Sequence, residues 1–144
     1  MANVHTATTP RARPASALDI GLWLVQTLIA LTFTGGAIWK LVTPIPAIAA
    51  VFPWAGQVSP LFLYATALFD LLGGLGVLLP SLTRIKPQLT VLAALGCAAL
   101  QVCAIAFHVV RDEAANTPFN FLLVALAGFV AWGRSSQARI PARA

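Results

Sequence analysis

Charged residues are scarce in this sequence. Asp, Glu, Lys and Arg make up 9% of its 144 residues, whereas soluble domains contain about 25%. Hydrophobic residues make up 59%, and the mean hydropathy is +0.86. A small water-soluble protein needs polar side chains to cover its surface, and this chain has too few of them. The composition argues against a soluble enzyme, a disordered chain and a disulfide-stapled domain, and it indicates a protein that crosses a membrane several times.

Residues that commonly bind metals or form disulfides are also few. The chain has two cysteines and two histidines. Cys97 and Cys103 lie in one apolar run, where a helix would separate them by about 9 Å on different faces, too far apart for a disulfide. A bis-histidine haem needs two histidines within the bundle, and only His108 lies in an apolar run. We therefore expect no haem, zinc or other metal site, and the sequence lacks a glycine-rich phosphate loop and a catalytic triad.

Acidic residues are the scarcer of the two charged classes. Basic residues outnumber them by 9 to 4, which gives a net charge of +5. The basic residues lie in small groups at the ends of apolar runs, a pattern typical of membrane topology. A basic stripe with interleaved aromatic residues, which would favour nucleic-acid binding, is lacking. We therefore expect the lipid bilayer, and no nucleic acid, as a partner.

Four apolar runs have the length of membrane-spanning helices. They cover about residues 18–42, 60–79, 87–110 and 118–133. The second run would form a helix about 30 Å long, which matches the hydrocarbon thickness of a bilayer. The first run is too long for the core of a signal peptide and no cleavage site follows it, so we interpret it as an uncleaved span.

These runs predict an all-α polytopic membrane protein, an antiparallel four-helix transmembrane bundle formed by residues 17–134. Helix-start signals precede three of the runs. Ser16 with Asp19 forms a capping-box pattern, and the pairs Ser59-Pro60 and Thr117-Pro118 each place a capping residue before a proline.

The segments outside the predicted spans differ in character. Residues 1–16 are polar and predict a disordered cytoplasmic tail, and residues 135–144 predict a basic cytoplasmic tail. Residues 44–59 are apolar but contain three prolines. They predict a proline-rich apolar loop between helices 1 and 2, lying in the membrane interface or over the bundle. Pro80 is expected to end the second span.

The basic residues also predict the orientation of the bundle. Four spans place both termini on one side of the membrane. The two tails, Arg134 and residues 80–86 together carry seven Lys and Arg residues, whereas the opposite side carries two. Because basic segments stay in the cytoplasm, we expect both termini there.

Asp70 is the most conspicuous polar residue of the spans. It would lie about 15 Å deep, where an ionised carboxylate is costly without a partner. Two interpretations stay open, a functional carboxylate that faces a cavity and a neutral Asp that links two helices by a hydrogen bond. Lys40 either reaches the membrane surface or acts as the counter-charge of Asp70. The axial gap between them is about 9 Å, so we expect a water or a ligand to bridge them.

Other polar side chains share the outer half of the predicted bundle. Gln101 lies at the depth of Asp70, where it can also form a simple interhelical hydrogen bond. Cys97, Gln101 and His108 form one stripe on the third span, and His108 can also be an ordinary interfacial residue. We expect a polar pocket under the proline-rich loop that suits an amphipathic molecule such as a quinone or a lipid headgroup. Its candidate residues are Lys40, Trp54, Asp70, Gln101, His108 and Asn120.

The remaining charged residues are expected to be solvated. Arg111, Asp112 and Glu113 belong to the most polar stretch of the chain and predict a solvated loop. Arg111 has a second interpretation, since it lies at the same outer end as Asn120 and can extend the polar cluster. The residues from Arg134 onward predict a basic polar tail. We expect the inner half of the bundle to hold almost no ionisable residue.

Several segments resemble the DoxX-like family of small bacterial membrane proteins. They are TGGAIWKL in the first span, FDLLGGLGVLLP followed by SLTRIKPQL in the second, AIAFHVVRDE in the third and NFLLVALAGFVAWGR in the last. The resemblance covers about residues 20–134. It implies a four-helix bundle in the bacterial inner membrane, with Lys40, Asp70 and His108 at the family's polar positions. The family usually has Glu in place of Asp70, so this chain keeps the carboxylate but shortens its reach.

The resemblance also implies a link to quinone-coupled redox systems, to thiol oxidation and to oxidative-stress assemblies. We therefore predict an accessory subunit of such a system, without a complete oxidoreductase activity of its own. A quinone is its candidate cofactor, and a soluble redox partner or a second copy of the chain is its candidate partner. Two alternatives stay open. One is a non-catalytic scaffold or assembly factor that docks partners through glycine-rich helix faces, and the other is a proton-coupled transporter of a small solute that uses Asp70.

Overall fold

The computed structural model describes residues 16–143, and these residues are helical with no β-strand among them. Four of the helices are long and apolar enough to cross a membrane. The expected all-α polytopic membrane bundle is thereby confirmed. The predicted disordered tail, apart from Ser16, lies outside the described residues.

Five α-helices follow one another within residues 16–143. They are α1 (Ala17–Val42), α2 (Ile45–Val51), α3 (Pro60–Thr83), α4 (Gln88–Val110) and α5 (Pro118–Trp132). Short 3₁₀ turns lie at Pro53–Gly56 and Ala114–Asn116, and a π-helical turn at Gly133–Gln137 extends α5. The four long helices form a closed ring, because α1 packs on α3, α3 on α4, α4 on α5 and α5 on α1.

The bundle has two distinct ends. We call one the α2 end, which consists of α2, the Pro53–Gly56 turn and the α4–α5 connection. We call the other the Arg134 end, which consists of the first turn of α1, the α3–α4 connection and the Gly133–Gln137 turn. Because the spans alternate in direction, Ser16 and Arg134 lie at the same end.

Two of the predicted helix caps form as expected. The Ser16 hydroxyl accepts a hydrogen bond from the Asp19 N–H at 3.2 Å, and the Ser59 hydroxyl accepts one from the Phe62 N–H at 3.2 Å. Thr117 also precedes a helix, but its hydroxyl donates to the carbonyl of Ala114 at 2.7 Å. It therefore closes the preceding 3₁₀ turn and does not cap α5.

The segment predicted as a proline-rich loop is largely helical. Its first two prolines stand at the start of α2, where a helix leaves N–H groups unpaired in any case and therefore tolerates proline. Pro53 begins the 3₁₀ turn in the same way. The two helical pieces meet at Phe52, which has an extended backbone, so the prediction that no continuous helix spans residues 44–59 is confirmed. The prediction that this segment is a loop without helix is wrong.

α2 and the following turn are fixed to the bundle by a small apolar cluster. Ile48 and Ala55 are buried against Leu63 of α3. Trp39 and Trp54 pack at the margin of this cluster. The segment therefore covers the end of α1 and the start of α3. This agrees with the expected position over the bundle, one of the two that the sequence left open.

The second span continues past Pro80 to Thr83, so the expected stop at Pro80 is wrong. Proline cannot donate to the carbonyl four residues earlier, but a membrane helix tolerates this where other groups satisfy the backbone. Here the amide of Gln26 on α1 donates to the carbonyl of Val77 at 2.8 Å, one residue beyond the carbonyl that Pro80 leaves unpaired. α3 ends at Arg84, which has a left-handed backbone with φ 59°.

Glycines bring α3 close to its neighbours. A Cβ at Gly74 would lie 2.5 Å from the Thr34 hydroxyl and 3.1 Å from the Ala30 carbonyl on α1. A Cβ at Gly76 would lie 2.8 Å from the Ala93 Cβ on α4. These glycines therefore serve contacts inside the bundle, in the manner of small residues at membrane helix interfaces.

The Arg134 end differs most from the expectation of a solvated tail. The Arg134 side chain is 2% exposed and forms an ion pair with Asp19. Its Nε donates to Gln26 Oε1 at 2.6 Å, and its guanidinium lies 5.0 Å from the centre of the Trp23 ring. The π-helical turn carries Arg134 back into the bundle, so the expectation of an inner half almost free of ionisable groups is wrong.

A buried hydrogen-bond network extends from this arginine across three helices. The Gln26 amide donates to the Ser81 hydroxyl at 3.1 Å, and Ser81 shares a 2.8 Å hydrogen bond with Thr90. Each of these side chains is buried. Buried polar groups require such partners in an apolar interior, so the network fixes the relative positions of α1, α3, α4 and the π-helical turn.

Candidate functional site

A cavity of about 980 Å³ opens at the α2 end, between the four long helices and beneath α2. All six residues that the sequence marks as candidates line its wall, and α1, α3, α4, α5 and the turn after α2 each contribute at least one of them. They are Lys40, Trp54, Asp70, Gln101, His108 and Asn120. The structure therefore gathers these residues at one place, and whether they bind a ligand stays a prediction.

An ion pair between Lys40 and Asp70 forms one side of the cavity. Lys40 Nζ lies 2.7 Å from Asp70 Oδ2 and 3.4 Å from the hydroxyl of Thr66. Both charged side chains are mostly buried, with 19% and 12% of their surfaces exposed. The expected water or ligand bridge is wrong for this pair. The close approach of α1 and α3 at Gly74 and the length of the lysine side chain close the axial gap directly.

A pair of amides faces the ion pair from the other half of the bundle. Asn120 on α5 donates from Nδ2 to Gln101 Oε1 on α4 at 2.7 Å. The interhelical hydrogen bond considered for Gln101 is therefore present. It uses one polar atom of each amide, so the Gln101 nitrogen and the Asn120 oxygen can still pair with a ligand.

His108 lies at the outer rim of the cavity and is held by the α4–α5 connection. Its Nδ1 is 2.9 Å from Glu113 Oε2, and Arg111 Nε donates to Glu113 Oε1 at 3.2 Å. Arg111 also donates to Gln57, and its guanidinium lies 5.0 Å from the centre of the Phe107 ring. The expectation of a merely solvated loop is therefore wrong for Glu113, and Arg111 joins the polar cluster through Glu113, as its second interpretation requires. The bond at Nδ1 leaves Nε2 of His108 as the ring nitrogen that can meet a ligand.

The electrostatics of this rim follow from these contacts. The hydrogen bond from His108, together with Arg111, lowers the pKa of Glu113 below its ordinary value. Glu113 was missed as a site residue because it follows the end of α4. Asp112, with a left-handed φ of 59°, turns the chain back so that Glu113 reaches His108.

Aromatic rings form the outer wall and the cover of the cavity. Trp54 makes edge contacts with the rings of Phe107 and His108, at centroid distances of 5.7 Å and 6.3 Å. Phe62 stacks on Phe107 at 5.9 Å, and Trp39 meets Phe52 edge-on at 5.9 Å. Such rings offer flat apolar surfaces to a bound ring system.

The two cysteines are free thiols in different surroundings. Cys97 is buried in the apolar core, whereas Cys103 is exposed and lines the cavity. The predicted stripe of Cys97, Gln101 and His108 is therefore only partly a cavity wall, because Cys97 packs in the apolar core and does not line the cavity. Within residues 16–143, no three His, Cys, Asp or Glu side chains are grouped so that they could hold a metal ion.

Comparison with known proteins gives one match. The sequence model of the DoxX-like family matches residues 24–130, about three quarters of the chain. The matched region extends from α1 to α5 and contains all six candidate residues. Searches of curated proteins and of solved structures gave no match.

Proposed function

The chain belongs to the DoxX-like family, and from this premise and the cavity at the α2 end we propose a specific role. The protein is an accessory subunit of a quinone-linked redox system in the bacterial inner membrane, and its cavity holds the headgroup of a quinone. The observation that carries the proposal is the cavity itself, which combines aromatic walls with hydrogen-bonding groups from every long helix.

The size and lining of the cavity suit a flat, amphipathic ring. Its volume of about 980 Å³ lies within the range typical of small-molecule sites, which are mostly apolar with a few well-placed polar groups. Trp39, Trp54, Phe62 and Phe107 supply ring surfaces. The apolar tail of a quinone would leave the cavity toward the lipid.

The polar groups of the cavity suit the two oxygens of a quinone ring. Lys40 Nζ and the free amide nitrogen of Gln101 can donate to carbonyl oxygens. Because Nδ1 of His108 donates to the Glu113 carboxylate, Nε2 of the neutral ring is an acceptor that can pair with a hydroxyl of the reduced form. The Asp70 carboxylate and the Asn120 oxygen can accept from the hydroxyls of the reduced form. A bound quinone would supply reversible transfer of two electrons and two protons, and this chain's residues would bind and orient it.

The thiol-linked form of the role has less support. Cys97 is buried in the apolar core and Cys103 is exposed. Thiol oxidation that proceeds through a disulfide needs two thiols within about 7 Å between Cα atoms, and six residues of helix separate these two by about 9 Å. We therefore favour the quinone-linked form.

The proposed orientation places both termini in the cytoplasm and the cavity at the outer surface of the membrane. Seven Lys and Arg residues belong to the Arg134 end and the two tails, and two belong to the α2 end. This asymmetry favours a cytoplasmic Arg134 end.

The scaffold and transporter roles are the alternatives. The glycine-rich face of α3 packs within the bundle on α1 and α4, so it is less available for docking a partner. A buried apolar cluster that includes Ile29, Val77 and Ala94 lies between the two ends of the bundle. A route for a solute would have to cross this cluster, so the geometry favours a binding site open at one end.

The proposal is tested by titrating the purified protein in lipid nanodiscs with a short-chain quinone. Trp39 and Trp54 line the cavity, so binding should quench tryptophan fluorescence. We expect saturable quenching for the wild type and an affinity about ten-fold or more weaker for Asp70→Asn, since a hydrogen bond to a charged group is lost. His108→Ala should weaken binding in the same direction and does not alter the ion pair.

Asp112→Asn is the matched control, because it makes the same chemical change at an exposed carboxylate of the same end, outside the cavity. It should bind quinone as the wild type does. Equal affinities for wild type, Asp70→Asn and His108→Ala would contradict the proposed site. Quinone-independent proton flux in proteoliposomes that Asp70→Asn abolishes would favour the transporter instead.

A further inference from the structure

A second cavity, of about 1070 Å³, lies at the Arg134 end of the bundle. Its lining contains five cationic residues, which come from the α3–α4 connection, the π-helical turn and the C-terminal segment. They are Arg84, Lys86, Arg134, Arg139 and Arg143. No Asp or Glu among residues 16–143 lines it. Asp19, in the first turn of α1, neutralises Arg134, so the cavity keeps the charge of the other four cations.

Arg134 has a hydrogen-bonding group that the protein does not satisfy. Its side chain is 2% exposed, and its Nε and Nη1 have partners in Gln26, Asp19 and the Ala138 carbonyl. Its Nη2 is buried without any partner in the described part of the chain. A buried charged donor without an acceptor is unfavourable, so this nitrogen favours an anionic group nearby.

Apart from Ser81, Gln88 and Ser135, the rest of the lining is apolar, and it includes leucines of α4 that face outward from the bundle. Leu89, Leu92 and Leu95 recur at three-residue spacing along α4, line the cavity and are each about half exposed. Residues at this spacing share one helix face. The cavity therefore has a cationic part at the bundle end and an apolar part that extends along a membrane-spanning helix.

The C-terminal segment is held in place over this cavity. The Arg143 N–H donates to the Arg84 carbonyl at 3.0 Å, which ties the segment to the α3–α4 connection. Arg84 and Lys86 both have left-handed backbones, with φ of 59° and 46°. The cationic side chains are thus positioned by defined backbone contacts on both sides of the cavity.

We propose that this cavity binds an anionic glycerophospholipid, with its phosphate among the cationic side chains and an acyl chain along the leucines of α4. The cations and the unpaired Arg134 nitrogen require an anion, and the leucines require an apolar chain attached to it. Basic pockets at the cytoplasmic ends of membrane helices are suited to acidic headgroups. This inference is independent of the quinone role, because it concerns the opposite end of the bundle.

Native mass spectrometry of the delipidated protein with an equal mixture of phosphatidylglycerol and phosphatidylcholine of identical acyl chains tests this site. We expect the wild type to bind phosphatidylglycerol preferentially. Arg139→Gln combined with Arg143→Gln should weaken phosphatidylglycerol binding by roughly 25-fold, about five-fold for each cation, and leave phosphatidylcholine binding unchanged. Both arginines are exposed, and a thermal unfolding curve checks that the fold is retained.

Arg111→Gln is the matched control, since it removes an arginine from the α2 end, and it should bind both lipids as the wild type does. Equal binding of the two lipids by the wild type would overturn the proposal, as would an unchanged preference in the double variant. Competition with inorganic phosphate is the third measurement. If phosphate at the concentration of the lipid displaces phosphatidylglycerol, the site takes free anions and the lipid assignment is wrong.

Discussion

Lys40 and Asp70 are ionisable residues within spans that lack other charges at their depth. A charged side chain inside a bilayer is stable only if it pairs, neutralises or reaches water. Their separation of 2.7 Å satisfies the first condition, and Thr66 supplies a further acceptor to the lysine. The pair lines an open cavity. Because removing two charges from water costs much of the free energy that their pairing gains, structural support alone is a weak reason for it, and a ligand site is consistent with its position.

Removing one member of this pair should be harmful. Lys40→Met leaves the Asp70 carboxylate mostly buried without its cation, so we expect a loss of about 2–4 kcal/mol in the free energy of unfolding. Lys40→Met combined with Asp70→Leu should recover most of that loss, because it leaves no unpaired charge. Unfolding in mixed micelles, followed by circular dichroism during a titration with dodecyl sulfate, measures both variants.

Lys86→Met provides the control for this comparison, because Lys86 is exposed. It should change the free energy of unfolding by less than about 0.5 kcal/mol. If Lys40→Met unfolds at the same detergent concentration as the wild type, the ion pair contributes nothing to stability and its structural importance is refuted.

Glu113 allows a pH-dependent test of the cavity rim. It is the sole glutamate of the chain, so protein with ¹³C-labelled glutamate side chains gives a single carboxyl resonance. Because the hydrogen bond from His108, helped by Arg111, lowers its pKa, the resonance should titrate below the ordinary value of 4.5. The stabilisation that Glu113 provides is therefore complete above pH 4.5 and is lost as the pH falls through the lowered pKa.

His108→Ala removes the main cause of that lowering. The Glu113 midpoint should then move up toward 4.5. A wild-type midpoint at or above 4.5, or a midpoint that His108→Ala leaves in place, would be incompatible with the hydrogen bond between the two side chains.

For individual residues, the sequence predicts positions better than contact partners. Asp70, Gln101 and Lys40 are recognisable because polar groups are rare in apolar runs, and helix geometry gives their depth. Their hydrogen-bond partners depend on how far apart the helices lie and on how each is rotated, and neither follows from one span. Arg134 was missed for this reason, since a single turn of π-helix decides whether it faces water or the interior.

Among the helices, α3 determines how closely the bundle packs. Its glycines allow α1 and α4 to approach, and the continuation past Pro80 extends the helix to the α3–α4 connection. Close approach also brings Asp70 within reach of Lys40. The packing of this helix is therefore a condition for the geometry of the cavity.

Adding a methyl group at Gly74 tests this dependence. A Cβ there would lie 2.9 Å from the Thr34 backbone nitrogen and 3.1 Å from the Ala30 carbonyl, and backbone atoms cannot move aside as a flexible side chain can. Gly74→Ala should therefore lower the free energy of unfolding by about 1–3 kcal/mol. The detergent titration described above measures it.

Gly96→Ala on α4 is the matched control, because a Cβ there meets nothing within 4 Å. It should be neutral or stabilising by about 0.5–1 kcal/mol, since alanine restricts the unfolded chain more than glycine does. A Gly74→Ala protein as stable as Gly96→Ala would mean that α1 and α3 are not in close contact.

The sequence predicts the four long spans, but it does not predict every helix or every helix end. Long apolar runs and helix-start residues locate the four spans, because the bilayer requires helices of that length. The sequence does not predict α2, since a proline is compatible with both a helix start and a loop. It also does not predict that α3 continues past Pro80, because the side chain that bonds to the backbone beside this proline, Gln26 on α1, is distant in sequence.

For the whole molecule, the apolar core separates two cavities of opposite character. The cavity at the α2 end combines an ion pair, two amides and aromatic rings, whereas the cavity at the Arg134 end is cationic. The four-span architecture is predictable from composition and length. The sequence does not predict that one cavity contacts all six candidate residues, because they come from different elements whose packing must be known first.

Photo-crosslinking with an azido-quinone in nanodiscs, followed by mass spectrometry of the labelled peptides, shows directly whether the cavity at the α2 end binds a quinone. We predict that label concentrates on the cavity wall, within residues 32–40, 51–54 and 100–108, and that excess unlabelled quinone suppresses it. Label spread evenly over the lipid-facing surfaces of the helices, with no suppression by excess quinone, would mean that the cavity is not a quinone site.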